Sequence, residues 1–170
     1  MNIKKTTMAK TQRVVFAGTI AAIYLALVIL IAPFSFGPFQ FRIAEVLTVL
    51  PFLFPETIPG LFVGCILSNL MFSPYGWPDV VFGSLATLTA AYLTYRCKVR
   101  WMAPLPPIII NAVVVGTLIT LLDPGLGGGS FVIFAAIAGQ VAVGQVVVCA
   151  GFGIPVLMFI QKMKFYKGSH

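Results

Sequence analysis

Arg42 and Glu45 stand three residues apart at the start of an apolar stretch, where a guanidinium and a carboxylate can together bind a polar solute. Ionisable groups in so apolar a setting are costly to bury and are therefore candidates for function. Ten of the 11 Lys and Arg residues cluster near the ends of apolar stretches, and Arg42 is the exception. Two interpretations are open: the pair contacts a ligand, or it is a helix-terminal ion pair in which the helix dipole favours Glu45.

The composition indicates that these residues lie in a membrane. Hydrophobic residues make up 59% of the 170-residue chain and charged residues 9%, against about 45–50% and about 25% in soluble domains. No soluble core of this size could hide so much apolar surface, so we expect one all-α integral membrane domain over residues 1–170. The net charge is +7. Because the basic residues flank the apolar stretches and form no aromatic-rich patch, no nucleic-acid partner is predicted.

The chain is predicted to cross the membrane six times. The apolar stretches are residues 14–34, 43–55, 57–72, 79–95, 104–122 and 131–160. Residues 43–72 can form one long span or two short ones, and the positive-inside rule decides between them. Two passes, separated at Pro55 and Pro59, put ten basic residues on the cytoplasmic side and leave Arg42 outside. We therefore expect a multi-pass protein of the cell membrane with both termini in the cytoplasm.

The lengths of the spans predict which of them must be surrounded by protein instead of lipid. The second span has 13 residues and, as a helix, rises only about 20 Å, less than the roughly 30 Å of the hydrocarbon core. We expect the short second and third spans to pack against protein and wall a cavity. The last stretch has 30 residues, too many for an upright span. Either Gly151, Gly153 and Pro155 kink it, or its inner end lies along the membrane surface.

Polar residues of several spans converge on the outer half of the membrane, which predicts a small polar pocket that opens outward. The candidate substrate-binding residues are Arg42, Glu45, Asn69, Trp77, Asp79, Asn111 and Gln140. Each also has a structural interpretation. Asp79 after Pro78 can cap a helix, the amides can hydrogen-bond between helices, and Trp77 can anchor the membrane interface.

Small residues spaced four apart predict close helix packing at two places. The first span contains Ala17-x-x-x-Ala21 and Ala22-x-x-x-Ala26, and the third contains Gly60-x-x-x-Gly64. Such spacings flatten one face of a helix so that another helix can approach. The approaching helix can belong to this chain or to another subunit, and both interpretations are open.

The motifs of several enzyme classes are missing from the sequence. There is no Gly-x-x-x-x-Gly-Lys-Ser/Thr loop for ATP, no His-Glu-x-x-His motif, and no Cys-x-x-Cys or Cys/His cluster for a metal. No histidine before His170 can partner a serine in nucleophilic catalysis. We predict no catalytic activity, no cofactor and no metal site, and expect a bound or transported solute instead.

Three segments of the sequence resemble one family of membrane proteins. Residues 41–65 read Phe-Arg-Ile-Ala-Glu-Val-Leu-Thr-Val-Leu-Pro-Phe-Leu-Phe-Pro-Glu-Thr-Ile-Pro-Gly-Leu-Phe-Val-Gly-Cys and are followed by Asn69. With Asp-Val-Val-Phe-Gly-Ser-Leu-Ala-Thr-Leu (79–88) and Leu-Pro-Pro-Ile-Ile-Ile-Asn-Ala (105–112), they resemble the QueT family of queuosine-precursor transporters. The resemblance extends from about residue 12 to residue 160, and residues 41–88 are its specific part.

The resemblance implies a role and a set of partners. Members of the family are substrate-binding (S) components of energy-coupling factor transporters, with six helices, cytoplasmic termini and a pocket near the outer face. A transmembrane coupling subunit and two cytoplasmic ATPases would supply the energy, which fits the missing ATP loop. In such components an Ala-x-x-x-Ala face of the first helix packs against the coupling subunit, and the matching positions are Ala17, Ala21, Ala22 and Ala26.

The ligand that the resemblance implies is a 7-deazaguanine base, a precursor of queuosine. Its adjacent N–H donors suit the Glu45 carboxylate, its ring carbonyl suits a donor from Asn69, Asn111 or Arg42, and its flat face suits an aromatic residue. Asp79 can instead meet a cationic aminomethyl arm. Two alternatives are open: an S component for another vitamin, and a stand-alone proton-coupled carrier that uses Glu45 or Asp79.

Overall fold

The computed structural model describes residues 9–31, 42–123, 125 and 130–163. All regular secondary structure in these ranges is helical, which confirms the predicted all-α fold. Residues 32–34 of the predicted first span, Phe41 and His170 lie outside the described ranges.

The six predicted spans correspond to six helices whose limits lie within a few residues of those predicted. They are α1 (Lys10–Leu30), α2 (Ile43–Phe52), α3 (Thr57–Phe72), α4 (Asp79–Gly83 and Ser84–Arg96), α5 (Leu105–Leu122) and α6 (Phe131–Gln145, Val146–Phe152 and Gly153–Lys162). α2 is a 3₁₀ helix. The π-helical turn Asp79–Gly83 opens α4, and a second one, Val146–Phe152, lies inside α6.

The helices have the length and surface of membrane spans. The segments Lys10–Leu30, Arg100–Leu122 and Phe131–Lys162 are each long and apolar enough to cross a membrane, and α2 and α3 are shorter apolar helices. Large apolar side chains stay exposed on the long helices, among them Leu30 at 77% and Phe131 at 79%. Since water would penalise an apolar surface of this extent, these faces are suited to hydrocarbon.

The helices pack in the order α1, α3, α4, α5, α6, and the short α2 contacts α1, α3, α4 and α6. This agrees with the prediction that protein surrounds α2. At one end of the bundle, Arg13 Nε of α1 lies 4.0 Å from Glu56 Oε1 in the turn between α2 and α3. We call this end, where α4 and α6 finish at Arg96 and Lys162, the basic end. The other end, where α2 begins beside Arg42, is the opposite end.

α1 packs against α3 through the predicted small residues. A Cβ atom on Gly60 would overlap the carbonyl oxygen of Ala17. One on Gly64 would lie 2.9 Å from Cβ of Tyr24 and 3.1 Å from the carbonyl oxygen of Ala21. Glycine therefore sets the separation of the two helices, as expected for small residues at a membrane helix contact. The internal-packing interpretation is confirmed for Gly60-x-x-x-Gly64, and Ala17 and Ala21 face α3.

α6 changes its helix type near Gly151, Gly153 and Pro155, where a kink is one of the two interpretations that the sequence leaves open. The π-helical turn Val146–Phe152 comes just before Pro155, which has no N–H to donate to the preceding turn. Beyond this turn, Leu157 is buried in a cluster with Val49 of α2. A Cβ atom on Gly153 would lie 2.8 Å from Cγ1 of Val49. Contacts with α2 therefore hold the last part of α6.

We predict that Gly60→Ala destabilises the chain, because the new methyl group must displace the backbone of α1. Overpacking of this kind costs about 1–3 kcal/mol, more than the roughly 1 kcal/mol that alanine gains over glycine in a helix. Gly139→Ala is the matched control, since nothing lies within 4 Å of a Cβ atom there. Thermal unfolding in detergent should show a lower midpoint for Gly60→Ala alone, and equal midpoints would contradict the packing described.

Candidate functional site

The 3₁₀ geometry of α2 places Glu45 and Thr48 in one row, and Arg42 is the N-cap residue just before the helix. A 3₁₀ helix has three residues per turn and rises about 2.0 Å per residue, so side chains three apart stack at intervals of about 6 Å. In an α-helix the same side chains would diverge around the axis. All three are buried, and Glu45 and Thr48 are 0% exposed. Long 3₁₀ runs are uncommon, and here contacts with four neighbouring helices surround the 10-residue run.

The Glu45 carboxylate is bonded to side chains from three other helices. The Tyr24 hydroxyl of α1 donates to Oε1 at 2.6 Å, a length typical of a hydrogen bond to a carboxylate. The Thr87 hydroxyl of α4 lies 3.5 Å from the same oxygen. Asn111 Nδ2 of α5 donates to Oε2 at 3.4 Å. One buried carboxylate therefore connects α1, α2, α4 and α5.

Arg42 reaches the start of α4. Its Nη2 atom donates to Asp79 Oδ2 at 3.0 Å, and both side chains of this ion pair are buried. The Ser73 hydroxyl donates to the same oxygen at 2.6 Å. The N-cap position of this turn is Pro78, and no side chain caps it, so the predicted capping role of Asp79 is wrong. Breaking a buried ion pair is strongly destabilising, so Asp79 and Arg42 hold each other in place.

Asn69, Cys65 and Thr87 join the two carboxylates. Asn69 Nδ2 donates to the carbonyl oxygen of Asp79 at 3.0 Å and lies 3.6 Å from Cys65 Sγ. The Thr87 hydroxyl lies 3.3 Å from the same sulfur, on the path to Glu45. We call the connected set the buried polar network. Its members are Tyr24, Arg42, Glu45, Cys65, Asn69, Ser73, Asp79, Thr87 and Asn111.

Two oxygen atoms of the buried polar network have no donor among the described residues. Asp79 Oδ1 and Asn69 Oδ1 are both buried and accept no hydrogen bond there. Both carboxylate oxygens of Glu45, in contrast, have donors. Since buried acceptors in native proteins are nearly always satisfied, Asp79 and Asn69 mark the part of the network that can still bind a donor.

A branch of polar contacts leads from Glu45 to α6. Cys149 Sγ lies 3.4 Å from the carbonyl oxygen of Glu45 and 3.2 Å from Oε1 of Gln145. The Thr48 hydroxyl donates to the same carbonyl oxygen at 2.6 Å. Gln145 is only 2% exposed. It therefore faces the protein interior, although it was not among the candidate residues.

Five of the seven candidate substrate-binding residues belong to the buried polar network, and two do not. The five are Arg42, Glu45, Asn69, Asp79 and Asn111. Gln140 is exposed on α6, and Trp77 is 72% exposed just before α4. A role in ligand binding for Gln140 and Trp77 stays a prediction.

Tyr24, Cys65, Ser73 and Thr87 complete the network, and sequence reasoning missed them. Hydroxyl groups in helices often bond to their own helix, and the Thr87 hydroxyl also lies within 3.2 Å of the carbonyl oxygen of Gly83, as an alternative acceptor. The presence of a threonine at position 87 therefore does not by itself predict a contact with another helix. Tyr24 carried a clearer signal, because a phenol in the middle of an apolar helix needs a hydrogen-bond partner when buried.

The four candidate docking alanines lie on two faces of α1. Ala17 is half-buried and Ala21 is buried, both towards α3, whereas Ala22 and Ala26 are exposed. Gly18, four residues before Ala22, is also exposed and has nothing within 4 Å of a Cβ position. Ala22-x-x-x-Ala26 is therefore the pair that another subunit can reach.

The loop before α4 is tied to the buried polar network at the opposite end. The backbone N–H of Tyr75 donates to Ser73 Oγ at 3.2 Å, and the Tyr75 side chain packs against the cluster around Val115. Burial, and then the carboxylates of Asp123 and Asp79, raise the pKa of Tyr75 above its ordinary value. This phenol therefore stays neutral at physiological pH.

A cleft of about 460 Å³ opens at the basic end, away from the buried polar network. It is lined by Arg13, Val14, Ala17, Pro55, Glu56 and Pro59. Glu45 and Asp79, in contrast, are 0% and 1% exposed. A solute bound by these two carboxylates must therefore be enclosed by protein.

Comparisons with known proteins point to one family. The sequence model of a family described as QueT transporter matches residues 14–162. A curated protein from Lactococcus lactis subsp. cremoris (strain MG1363), named queuosine precursor transporter QueT, is 35% identical over 82 residues. That match covers 47% of this chain and 47% of the relative, so the chain spans about half the length of the relative. No solved structure matches the chain.

We predict that Tyr24→Phe destabilises the chain by about 1–3 kcal/mol, because a buried carboxylate oxygen loses its closest donor. Tyr92→Phe is the matched control, since Tyr92 is 48% exposed and its hydroxyl meets only Arg96 Nη1, at 3.3 Å, among the described residues. Surface changes of this kind stay within about 0.5 kcal/mol. Thermal unfolding in detergent should separate the two variants, and similar midpoints would argue against a structural role for the Tyr24 hydroxyl.

Proposed function

The chain belongs to the QueT transporter family, and from this premise we propose that it is the S component of an energy-coupling factor importer for a 7-deazaguanine precursor of queuosine. In this role the chain captures the solute at the outer face of the cell membrane. A transmembrane coupling subunit and two ATPases, all separate chains, supply the energy. The name of the curated relative, a queuosine precursor transporter, supports the substrate class.

The buried polar network supports a solute-binding role. It collects one guanidinium, two carboxyl groups and two amides from α2 to α5 in an otherwise apolar bundle. Charged and amide groups at membrane depth cost free energy unless they are paired, and in membrane proteins they mark pathways and binding sites for solutes. A flat base with donors and acceptors along its edges gives these groups one common partner.

The chemistry of Glu45 suits the donor edge of a guanine-like base. A carboxylate has about four acceptor positions, and in this structure Tyr24, Thr87 and Asn111 supply its donors. In the proposed complex, the two adjacent N–H groups of the base donate to Glu45 in place of some of these side chains. The Asn111 amide is then free to donate to the ring carbonyl of the base.

The exposed face of α1 supports the proposed coupling subunit. Gly18, Ala22 and Ala26 repeat every four residues and form a flat outward surface. Small residues at this spacing allow two membrane helices to approach closely. Because Ala17 and Ala21 already pack against α3, we assign the docking role to Ala22 and Ala26.

One alternative has support in the same residues. Two fully buried carboxyl groups, Glu45 and Asp79, are also what a proton-coupled carrier would use. Liposomes that contain the purified chain alone separate the two functions. A carrier takes up the base under a pH gradient without ATP, whereas an S component alone binds the base and does not accumulate it.

We predict that Glu45→Gln lowers the affinity of the purified chain for a 7-deazaguanine base by at least about tenfold, because an amide cannot accept two hydrogen bonds with the strength of a carboxylate. Glu56→Gln makes the same chemical change in the turn at the basic end and should leave the affinity unaltered. Titration calorimetry in nanodiscs measures both variants. An unchanged affinity for Glu45→Gln would exclude the proposed contact.

We predict that the double variant Ala22→Leu, Ala26→Leu no longer purifies with a coupling subunit, because two large side chains keep the facing helix away. Ala136→Leu, on the exposed surface of α6, is the control and should purify normally. The double variant should still bind the base with its original affinity. Normal co-purification of the double variant would show that this face of α1 is not the docking surface.

A further inference from the structure

The connection from α4 to α5, residues 96–104, carries positive charge at the basic end, and we call it the α4–α5 turn. Arg96, Lys98 and Arg100 lie within five consecutive positions, and the first two are exposed. Among the residues that the structure describes, none of the three forms an ion pair with a carboxylate. Of the four acidic residues of the chain, only Glu56 belongs to this end, and it lies beside a basic residue of α1. The described chain therefore leaves the charge of the turn unneutralised.

The two guanidinium groups of the α4–α5 turn lie over aromatic rings. The guanidinium carbon of Arg96 is 5.9 Å from the centre of the Tyr92 ring, and Arg96 Nη1 donates to the Tyr92 hydroxyl at 3.3 Å. The guanidinium carbon of Arg100 is 5.5 Å from the centre of the Trp101 ring. Both distances are within the roughly 6 Å of a cation–π contact. The rings restrict the two guanidinium groups, so a ligand that binds them immobilises less side-chain freedom. The sequence alone did not predict this pairing of basic and aromatic residues.

Hydrogen bonds close the α4–α5 turn. The Thr94 hydroxyl donates to the carbonyl oxygen of Ala103 at 3.0 Å, and both residues are fully buried. Cys97 Sγ lies 3.5 Å from the carbonyl oxygen of Met102. A short 3₁₀ helix, Arg100–Met102, lies inside the turn. The backbone of the turn is therefore defined, which keeps its three basic side chains on one short loop.

Exposed apolar side chains surround these charged groups. Leu93, Val99, Met102 and Leu105 are 43% to 49% exposed, and Trp101 is 59% exposed. Tryptophan and tyrosine are enriched where the hydrocarbon core of a membrane meets the lipid headgroups. An acidic protein surface would neutralise the guanidinium groups but would not cover the apolar side chains. A phospholipid supplies both a charged headgroup and hydrocarbon chains.

From the charge, the stacked guanidinium groups and their apolar surroundings, we propose that the α4–α5 turn binds the headgroup of an anionic phospholipid. Arg96 and Arg100 donate to its phosphate oxygens, for which the planar guanidinium fork is suited. Lys98 adds a third positive charge near the headgroup, and Trp101 packs against the upper part of the acyl chains. This lipid site goes beyond the proposed function and does not depend on which solute the chain binds.

The two tryptophans of the chain serve as reporters, because Trp101 lies in the proposed lipid site and the exposed Trp77 lies at the opposite end. Trp77→Phe leaves Trp101 as the single tryptophan, and Trp101→Phe leaves Trp77. Each variant is placed in vesicles of phosphatidylcholine and phosphatidylglycerol. In each sample one of the two lipids carries bromine on its acyl chains, and bromine quenches the fluorescence of a tryptophan that it contacts.

We expect anionic phosphatidylglycerol to bind beside Trp101 at least about tenfold more tightly than zwitterionic phosphatidylcholine. Each basic residue near an anionic lipid surface contributes a factor of about five, and screening by salt reduces the product of three such factors. Beside Trp77 the preference should be less than about twofold. Equal preferences beside the two tryptophans would overturn the proposal.

The double variant Arg96→Gln, Arg100→Gln, made in the chain that retains Trp101, assigns the preference to the turn. It should lower the preference for phosphatidylglycerol at least about fivefold, since only Lys98 remains. Lys10→Gln, Arg13→Gln removes two charges from α1 at the same end and should keep the full preference. Equal losses in the two double variants would show that diffuse charge attracts the lipid and would overturn the assignment. If the first double variant does not fold, the comparison of the two tryptophans still decides.

Two further measurements identify the occupant of the α4–α5 turn. Replacing chloride by inorganic phosphate at constant ionic strength should leave the preference beside Trp101 unchanged. Its loss would show that the turn binds free phosphate and would overturn the lipid as occupant. A turn that binds an acidic protein surface would show no lipid preference beside Trp101, and Arg96→Gln, Arg100→Gln would no longer purify with a coupling subunit. That pair of results would also overturn the proposal.

Discussion

The buried Glu45 carboxylate determines how the surrounding helices are arranged. A carboxylate inside a membrane bundle cannot be left without partners, because desolvation of an unpaired charge costs far more than any one packing contact returns. Its donors come from α1, α4 and α5. These helices must therefore assemble around α2 in one arrangement. The polar groups thus determine how the helices are arranged. The apolar side chains determine this arrangement only weakly, because they can face either lipid or protein.

The unusual helix types follow from the same requirement. α2 is short, and its 3₁₀ form lengthens it and keeps Glu45 and Thr48 on one face. The π-helical turn at the start of α4 brings Asp79 beside both Arg42 and Asn69. Such turns are frequent at functional sites, where regular hydrogen bonding gives way to side-chain contacts. The local backbone geometry therefore positions the two carboxyl groups.

The sequence predicts the helices well and the partners of the polar residues only in part. Span limits follow from hydropathy and turn residues, and the convergence of Asn69, Asp79 and Asn111 follows from their positions along the spans. The Arg42–Asp79 ion pair joins residues that are 37 positions apart, and the local spacing of residues cannot predict such a contact. The orientation of Gln140 could not be predicted either, because α6 is apolar on every side and its periodicity does not distinguish lipid from protein.

We propose that this chain, without partner subunits, binds a 7-deazaguanine base in the buried polar network. This binding can be measured by thermal unfolding of the purified chain with and without such bases, and with thiamine, riboflavin and biotin as comparisons. A ligand at 100 times its dissociation constant adds about 2.7 kcal/mol to the stability of the folded state. We predict a clear rise of the unfolding midpoint with a 7-deazaguanine base and none with the three vitamins. No rise with any 7-deazaguanine, or a rise with one of the vitamins instead, would show that the buried polar network does not bind this base.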